Sequence, residues 1–392
     1  MCKNPMPPLK SLIFAKKIRL PSPAANIIQS LNMAWAFRAA GCDVHLFPGY
    51  SQKKSLSLIQ DIEEKYCLNS NTRPKISLLP AKNKGMYGLL FRSQLIREWV
   101  SNSDSVFFCR DLKEAVFLLK LKKLIKRHHK IIYEMHDSVF IEHEEYAYKD
   151  ADRCKNLEKQ IISKIDGIIY TNAYIKKKIQ EIYSPSIPSI TSVPGYNSRI
   201  FTPVSAPTNN SRILVGYFGS LHPGKGVDLL IEAFKKLPDN YYLRIVGGNP
   251  PQMQKTLENM VQKEFDLPGR IEFTGQVSPG QVRSHLEDCH FVCIPFVSQV
   301  EFLSPIKLYE SIGMELPVVA TPMPAILETS RELQSLVLAK DTTPEALASA
   351  IRQLGDDPEQ MRQLKKNARL LRSEYTWEKR AGKIVSFISS TR

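Results

Sequence analysis

No stretch of the 392 residues is an uninterrupted apolar run approaching the roughly 20 that a membrane-spanning helix needs. The opening Met1 to Pro8, MCKNPMPP, lacks the apolar segment of a secretory signal peptide, so a cytoplasmic protein is expected. Cys2, Cys42, Cys67, Cys109, Cys154, Cys289 and Cys293 are an odd, scattered set without a Cys-x-x-Cys pair. That spacing argues against a disulfide framework and a zinc site, and the seven are expected as buried thiols. No Gly-x-Gly-x-x-Gly follows the first strand pattern, which counts against a dinucleotide-binding dehydrogenase. No recognisable RNA or DNA motif accompanies the positive charge, so no nucleic-acid partner is expected. Internal repeats and low-complexity tracts are also missing.

What is present is a globular composition, 43% apolar and 24% charged, on a chain too long for one ordinary core. The net charge of +15 is one-sided: residues 1–200 hold 32 Lys+Arg against 18 Asp+Glu, whereas residues 201–392 hold 22 against 21. Such a face seeks anionic lipid, nucleic acid or an acidic substrate. Its densest part is a helical pattern from Asp111 to Arg127, where Lys113, Lys120, Lys122, Lys123, Lys126 and Arg127 alternate with Val116, Phe117, Leu118, Leu119, Leu121, Leu124 and Ile125. Two placements are open: a helix lying on an anionic bilayer with its lysine stems snorkelling, or one packed on a sheet with a basic outer face.

Apolar runs at 11–15, 43–47, 75–79, 105–109, 130–134 and 166–171 alternate with helical patterns, including 24–40 and 89–100, as in βαβ units with a parallel sheet. A second series begins at Ile213 and continues through 241–246, 270–274, 291–295 and 316–320. It closes with helical patterns at 344–354, 358–373 and 376–388. The polar, proline-broken stretch between the series reads as a linker. The expected division is therefore residues 1–203, a linker at 204–211, a second domain at 212–375 and a terminal helix at 376–392.

Three segments carry chemistry. Ser304 and Pro305 read as N-cap and first residue of a helix that runs through Tyr309 and stops at Gly313. The free amides and dipole of its first turn suit a phosphate, and Glu310 further along suits the diol of a ribose. The same pattern also fits an ordinary amphipathic helix with a solvated glutamate. The glycine-rich loop Phe218 to Gly226 carries Lys225 between a strand and a helix, where glycines permit close approach and an ammonium offsets a leaving diphosphate. His136 ends the strand from Lys130, the edge where open α/β sheets bind ligands, although a lone histidine is also commonly structural. His143 with Glu142, Glu144 and Glu145 fits no ordinary ligand spacing, and no metal site is expected.

These segments resemble GT-B glycosyltransferases of family four. The stretch from Phe302 to Thr321 is similar to that family's donor-site motif, in which a glutamate, seven residues and a second glutamate precede a Gly-x-Pro-Val-Val-Ala-type segment. Glu310 matches the second glutamate; Phe302 occupies the place of the first, with Glu301 beside it. Ser304, Pro305 and Lys307 match the Ser-Pro-x-Lys of one branch. Gly219, Leu221, Lys225 and Gly226 match Gly-Arg-Leu-x-x-x-Lys-Gly, with Ser220 replacing the arginine and Arg110 or Arg199 left to compensate. Residues 134–137 resemble the family's Glu-x-His-Asp, and Ser192 to Pro203 its Pro-x-Gly-Val-Asp segment, with Tyr196 and Asn197 replacing the last two. In the first loop Ser22, Pro23, Ala24 and Ala25 stand in for the usual glycines.

The resemblance implies two Rossmann-like domains facing across a cleft, with a terminal helix returning to the first. It implies a retaining transferase that needs no cofactor and moves sugar from a UDP- or GDP-linked donor to a glycan or lipid-linked acceptor; since the first domain of the family holds the acceptor, its basic charge here adds the expectation of peripheral work at the inner face of a membrane. Lys225 and the amides near Ser304, Pro305, Ile306 and Lys307 would then hold the diphosphate, Glu310 the ribose and His136 the sugar. Gly219, Ser220 and Gly226 would line the phosphates, and Gly247, Gly248 and Gly275 would border the base. A nucleotide-sugar epimerase of this architecture and a catalytically degenerate nucleotide-binding homologue are the alternatives.

Overall fold

In a computed structural model of the chain, the described residues are 11–22, 24–50, 58–136, 138, 151–205, 211–264, 267, 269–297 and 305–391. They divide into two compact units, Met1–Val193 with Trp377–Arg392, and Pro194–Thr376.

The first unit is built on a parallel sheet of seven strands in the order Ser189–Thr191, Gly167–Tyr170, Lys130–Met135, Val106–Cys109, Leu12–Ala15, Val44–Leu46, Lys75–Ile76. Its central strands read as continuous apolar runs because helices cover both faces. Successive side chains of a strand point to opposite faces. Phe108 accordingly meets Phe37 of helix Ala25–Ala39 at 5.0 Å between ring centroids, and Phe107 meets Trp99 of helix Lys84–Ser101 at 4.9 Å. Helix Leu112–Leu124 buries Ala115, Val116, Leu118 and Leu121 and turns Lys113, Lys120 and Lys123 outward, which is the packed placement. Among the described residues no helix is long and apolar enough to cross a membrane.

A small parallel sheet of Arg19–Leu20, Gly49–Tyr50 and Leu79–Pro80 was not legible in the sequence, each strand being two residues long. The buried Tyr87 hydroxyl fastens it, accepting from the Ile18 amide at 3.1 Å and lying 3.0 Å from the Ile18 carbonyl. Among the described cysteines Cys42, Cys109, Cys289 and Cys293 are buried thiols as expected, whereas Cys67 and Cys154 are half-buried.

The last helix, Trp377–Ser390, belongs to the first unit and lays Trp377, Ala381, Ile384 and Ile388 into its core. Arg380 beside them is buried, donates to the carbonyls of Ser192 at 3.1 Å and Val193 at 2.9 Å, and stands 2.7 Å from Glu134.

The second unit has a parallel sheet of six strands in the order Ile271–Gly275, Tyr241–Val246, Ile213–Phe218, Phe291–Ile294, Val318–Ala320, Leu336–Leu338. The unit begins at Pro194, ahead of the proline-broken stretch after 203, because Tyr196 anchors the chain earlier. Its amide donates to the Tyr375 carbonyl at 2.9 Å and its hydroxyl to the Arg372 carbonyl at 3.0 Å. The Tyr196 ring also explains Gly313, where a Cβ would come within 2.5 Å of it. Gly313 therefore does not stop its helix, as the sequence led one to expect. The helix spans Ile306–Met314, and Glu315 takes the left-handed terminal position at φ 58°, its buried carboxylate tied to Arg369 at 2.9 Å and Arg372 at 3.3 Å.

Removing one partner of a buried ion pair leaves the other charge stranded in low dielectric. Arg380→Met is expected to destabilise the first unit by about 3–5 kcal/mol, read from the urea midpoint at unchanged slope.

Candidate functional site

In the second unit, three strand ends stack through glycine. Gly219, after Ile213–Phe218, has φ +127° and donates its amide to the Val246 carbonyl at 2.9 Å. Gly247, after Tyr241–Val246, has φ +142° and sits so close that a Cβ would lie 2.0 Å from the Gly219 carbonyl oxygen. Gly275, ending the third strand, bridges to Gly247, and a Cβ on Gly248 would meet the Gln254 side chain at 2.4 Å. Only residues without a Cβ let these turns approach one another at the carboxyl edge of the sheet.

The loop from Gly219 continues to helix Val227–Phe234, whose left-handed cap is Gly226. A Cβ at Gly226 would lie 1.7 Å from the Pro295 carbonyl oxygen, so the segment after strand Phe291–Ile294 crosses directly over it. Val297 donates to the Gly224 carbonyl at 3.3 Å and closes the crossing. This puts the Lys225 ammonium 4.8 Å from the Phe296 ring centroid. The Ser220 carbonyl accepts from the Tyr217 hydroxyl at 2.6 Å.

Helix Ile306–Met314 supplies the remaining groups. Pro305 takes its capping position, with no side-chain cap, in place of the Ser304 cap expected from sequence; Ser304 itself lies outside the described residues. The Lys307 ammonium reaches back to 5.5 Å from the Phe296 centroid and 5.7 Å from that of Tyr217. Among the described residues the side chains of Lys225, Lys307 and Glu310 make no hydrogen bond or ion pair within contact distance; the backbone of Lys225 donates to His222 at 3.1 Å and that of Lys307 accepts from Ser311 at 2.6 Å. Burial alone lowers the Lys225 pKa. Burial and then repulsion from Lys225 bring Lys307 down to about 8 against the pull of Glu310, and burial lifts Glu310 to about 7 against the pull of Lys307. Lys307 therefore senses both Lys225 and Glu310, which links the three through its ammonium.

In the first unit, His136 ends strand Lys130–Met135 beside Arg110, which follows strand Val106–Cys109. The Arg110 Nε lies 2.9 Å from His136 Nε2 and 2.9 Å from Glu134 Oε1, and its Nη2 donates to Gln29 at 3.0 Å. Its Nη1 also contacts the Ser30 hydroxyl, and His136 Nε2 closely approaches Glu134. Burial would raise the Glu134 pKa, but Arg380, Arg110 and His136 outweigh it and hold the carboxyl well below its usual range. Burial, then the charge of Arg110, lowers His136 to about 4 despite Glu134, so at neutral pH the imidazole is uncharged and can accept or donate one hydrogen bond.

Residues 199–371 match the family described as Glycosyl transferases group 1. The second unit is a group 1 glycosyl transferase domain. An uncharacterized glycosyltransferase of Methanocaldococcus jannaschii is 28% identical over 215 residues, 55% of this chain and 56% of that protein. The D-inositol 3-phosphate glycosyltransferase of Corynebacterium urealyticum is 24% identical over 262 residues, 62% of this chain and 61% of that one. The chain thus spans about three-fifths of the curated relatives it matches. Among solved structures, sucrose-phosphate synthase from Thermosynechococcus elongatus superposes with TM-score 0.73 at 18% identity, covering 96% of this chain and 97% of that one. Anabaena HepE in complex with UDP gives 0.72 at 15%, covering 97% and 100%. The fold is that of the GT-B glycosyltransferases, with two Rossmann-like halves.

Within the glycosyl transferase domain, the described residues singled out from sequence gather at the carboxyl edge: Gly219, Ser220, Lys225 and Gly226 in one loop, Gly247, Gly248 and Gly275 stacked on it, and Pro305, Ile306, Lys307 and Glu310 on the helix. Arg199 is exposed, its amide bonded to Asn197 at 3.0 Å. His136 and Arg110 belong to the other unit, and Glu301, Phe302, Asp137 and the acidic run at 142–145 lie outside the described residues. Sequence reasoning missed Phe296, which both lysines face; its place two residues beyond a buried strand was the available signal. Among the described residues no group of His, Cys, Asp or Glu is arranged to hold a metal.

The crossing at Gly226 makes it the least replaceable of these positions. Gly226→Ala combines a left-handed backbone with a backbone clash, so a loss of about 3 kcal/mol or more is expected in urea unfolding. Gly382→Ala, where a helical Cβ meets open space, is expected to gain about 0.5–1 kcal/mol in the same measurement.

Proposed function

We propose that the protein is a retaining glycosyltransferase that moves a sugar from a UDP- or GDP-linked donor to a hydroxyl of a glycan or lipid-linked acceptor. The observation that carries this reading is the grouping of Lys225, Lys307 and Glu310 around a glycine-lined turn, two cations with no acid within ion-pair distance among the described residues. A group 1 domain with this arrangement has what departure of a nucleoside diphosphate needs. Lys225 offsets charge building on the leaving phosphate, the uncapped amides at the start of helix Ile306–Met314 donate to its oxygens, and Glu310 holds the ribose diol. Gly247, Gly248 and Gly275 border the base. Neutral His136, oriented by Arg110 and Glu134, contacts the sugar. The complexes of Anabaena HepE with UDP and with UDP-glucose support a nucleotide-sugar donor. Catalysis in this reading uses no metal and no cofactor.

The first unit supports an acceptor at an anionic surface. Helix Lys84–Ser101 exposes Met86, Leu89, Ile96 and Val100, spaced to share one face, and Leu124 of the neighbouring basic helix is 78% exposed. Arg97 on the first of these helices, and Lys120, Lys123, Lys126 and Arg127 on or just after the second, are exposed cations, with Arg127 reaching the Val100 carbonyl at 3.4 Å. Apolar side chains accompanied by lysine and arginine suit an interface carrying anionic headgroups. The protein accordingly works at the inner face of the cytoplasmic membrane, held there peripherally.

Lys225→Ala and Glu310→Ala are each expected to slow donor turnover by about 10²-fold or more with an unchanged circular dichroism spectrum. Wild-type rates in both would remove the site, isomerised donor without acceptor would make the protein an epimerase, and binding without turnover a degenerate homologue. Because burial raises the Glu310 carboxyl to about 7, nucleotide affinity should climb as pH rises through that value, and Glu310→Gln should flatten this limb with the same ligand. Flotation with vesicles should require anionic lipid and fail at high salt; binding indifferent to lipid charge would reject the surface.

A further inference from the structure

The turn after strand Ile213–Phe218 carries a serine, Ser220, where the resembling motif has an arginine, yet a nucleoside diphosphate brings more negative charge than Lys225 alone can offset. The side chain of Lys307 lies where the missing cation is wanted. A Cβ built on Gly219, the residue before Ser220, would be 2.4 Å from the Lys307 Cε and 2.5 Å from its Nζ. The ammonium thus rests directly on the turn, although it originates from a different element, the first turn of helix Ile306–Met314. It faces the same Phe296 ring as Lys225, at 5.5 Å and 4.8 Å from the centroid, with Tyr217 on another side and Glu310 one turn along its own helix.

This placement is costly for the unliganded protein. Two ammonium groups are drawn together, both partly away from water, and Lys225 makes Lys307 less willing to hold a proton, with Glu310 the one described acid that pulls the other way. Side-chain packing gives no reason for such an arrangement, since a methionine fills the same volume without desolvating a charge. An anion seated between the lysines supplies the reason.

We propose that Lys307 is the second cation of the diphosphate clamp, taking over from the helix side the role that the loop surrendered at Ser220. The inference rests on reading this site as one for a nucleoside diphosphate. It relieves Arg110 and Arg199 of that role: the Arg110 guanidinium is engaged by Gln29, Ser30, Glu134 and His136, and Arg199 is exposed. It also gives Gly219 a purpose beyond its φ of +127°, because any side chain there would displace the ammonium.

Calorimetric titration of the full chain with UDP, GDP, uridine and guanosine tests this, alongside the ligand-free melting temperature. Lys307→Met is expected to weaken the bound diphosphate by about tenfold or more while the matching nucleoside changes less than about twofold, and Lys307→Arg to retain most of the affinity. The melting temperature of Lys307→Met should equal or exceed that of the wild type, since a repelled, half-buried charge has been removed. Unchanged diphosphate affinity in Lys307→Met, with affinity lost in Lys225→Ala, overturns the proposal and leaves the nucleotide site standing. Equal loss of nucleoside and diphosphate with a lower melting temperature also overturns it, by showing a packing role. A wild type that binds none of the four ligands overturns the nucleotide reading and this inference with it.

Discussion

Positive charge drawn partly out of water, with no acid among the described residues close enough to pair with it, is the constraint around which the second unit is arranged. A lysine side chain left to itself extends into solvent, where its ammonium is best hydrated. Lys225 and Lys307 instead converge on the ring of Phe296, and the backbone must hold them there. It does so through contacts that tolerate no Cβ: Gly226 under the Pro295 carbonyl fixes the loop bearing Lys225, and Gly219 leaves room for the end of Lys307. The parallel sheet beneath brings these turns to one edge, because every strand in it ends on the same side. An aromatic face offers the ammonium groups partial compensation, since its quadrupole attracts cations.

The first unit treats charge in the opposite way. Glu134 is deeply buried, but Arg110 and Arg380 close on it from two elements, one next to the central strands and one in the terminal helix. A carboxylate ion-paired from two sides in this way fixes geometry, and its geometry holds the Arg110 guanidinium against His136. The terminal helix therefore contributes more than apolar surface to the unit it joins. Through Arg380 it bears on the carboxylate that orients the strand-end histidine. Among the described residues the second unit leaves Lys225 and Lys307 without a close acid, whereas the first commits the buried Arg110 and Arg380 to Glu134, and burial with the Arg110 charge keeps the aligned imidazole neutral.

Much of this was legible because the signals are local. Continuous apolar runs such as Val106–Cys109 and Phe291–Ile294 mark buried parallel strands, and the glycines of the 219–226 loop mark a turn approached closely by something else. What escaped depends on contacts between residues far apart in sequence. Gly313 looks like a helix stop, yet its missing Cβ makes room for Tyr196, more than a hundred residues earlier, while Glu315 ends the helix because Arg369 and Arg372 secure its carboxylate. The two-residue strands at Arg19–Leu20, Gly49–Tyr50 and Leu79–Pro80 carry no periodicity to detect, and the Tyr87 hydroxyl that joins them stands outside all three.

Lys307 is the sharper case. Its neighbours in sequence identify it as part of a motif, and nothing local says that its ammonium bends back onto a glycine almost ninety residues away. Residue identity at position 220 therefore gives an incomplete account of the charge available to a ligand there. The relevant quantity is the field at the turn, to which any element ending at the same sheet edge can contribute. In a fold where several strands deliver their termini to one line, a cation lost from one loop can be restored from the next without disturbing either backbone. What the arrangement depends on physically is the space above Gly219, a property of the surrounding packing more than of the side chain that supplies the charge.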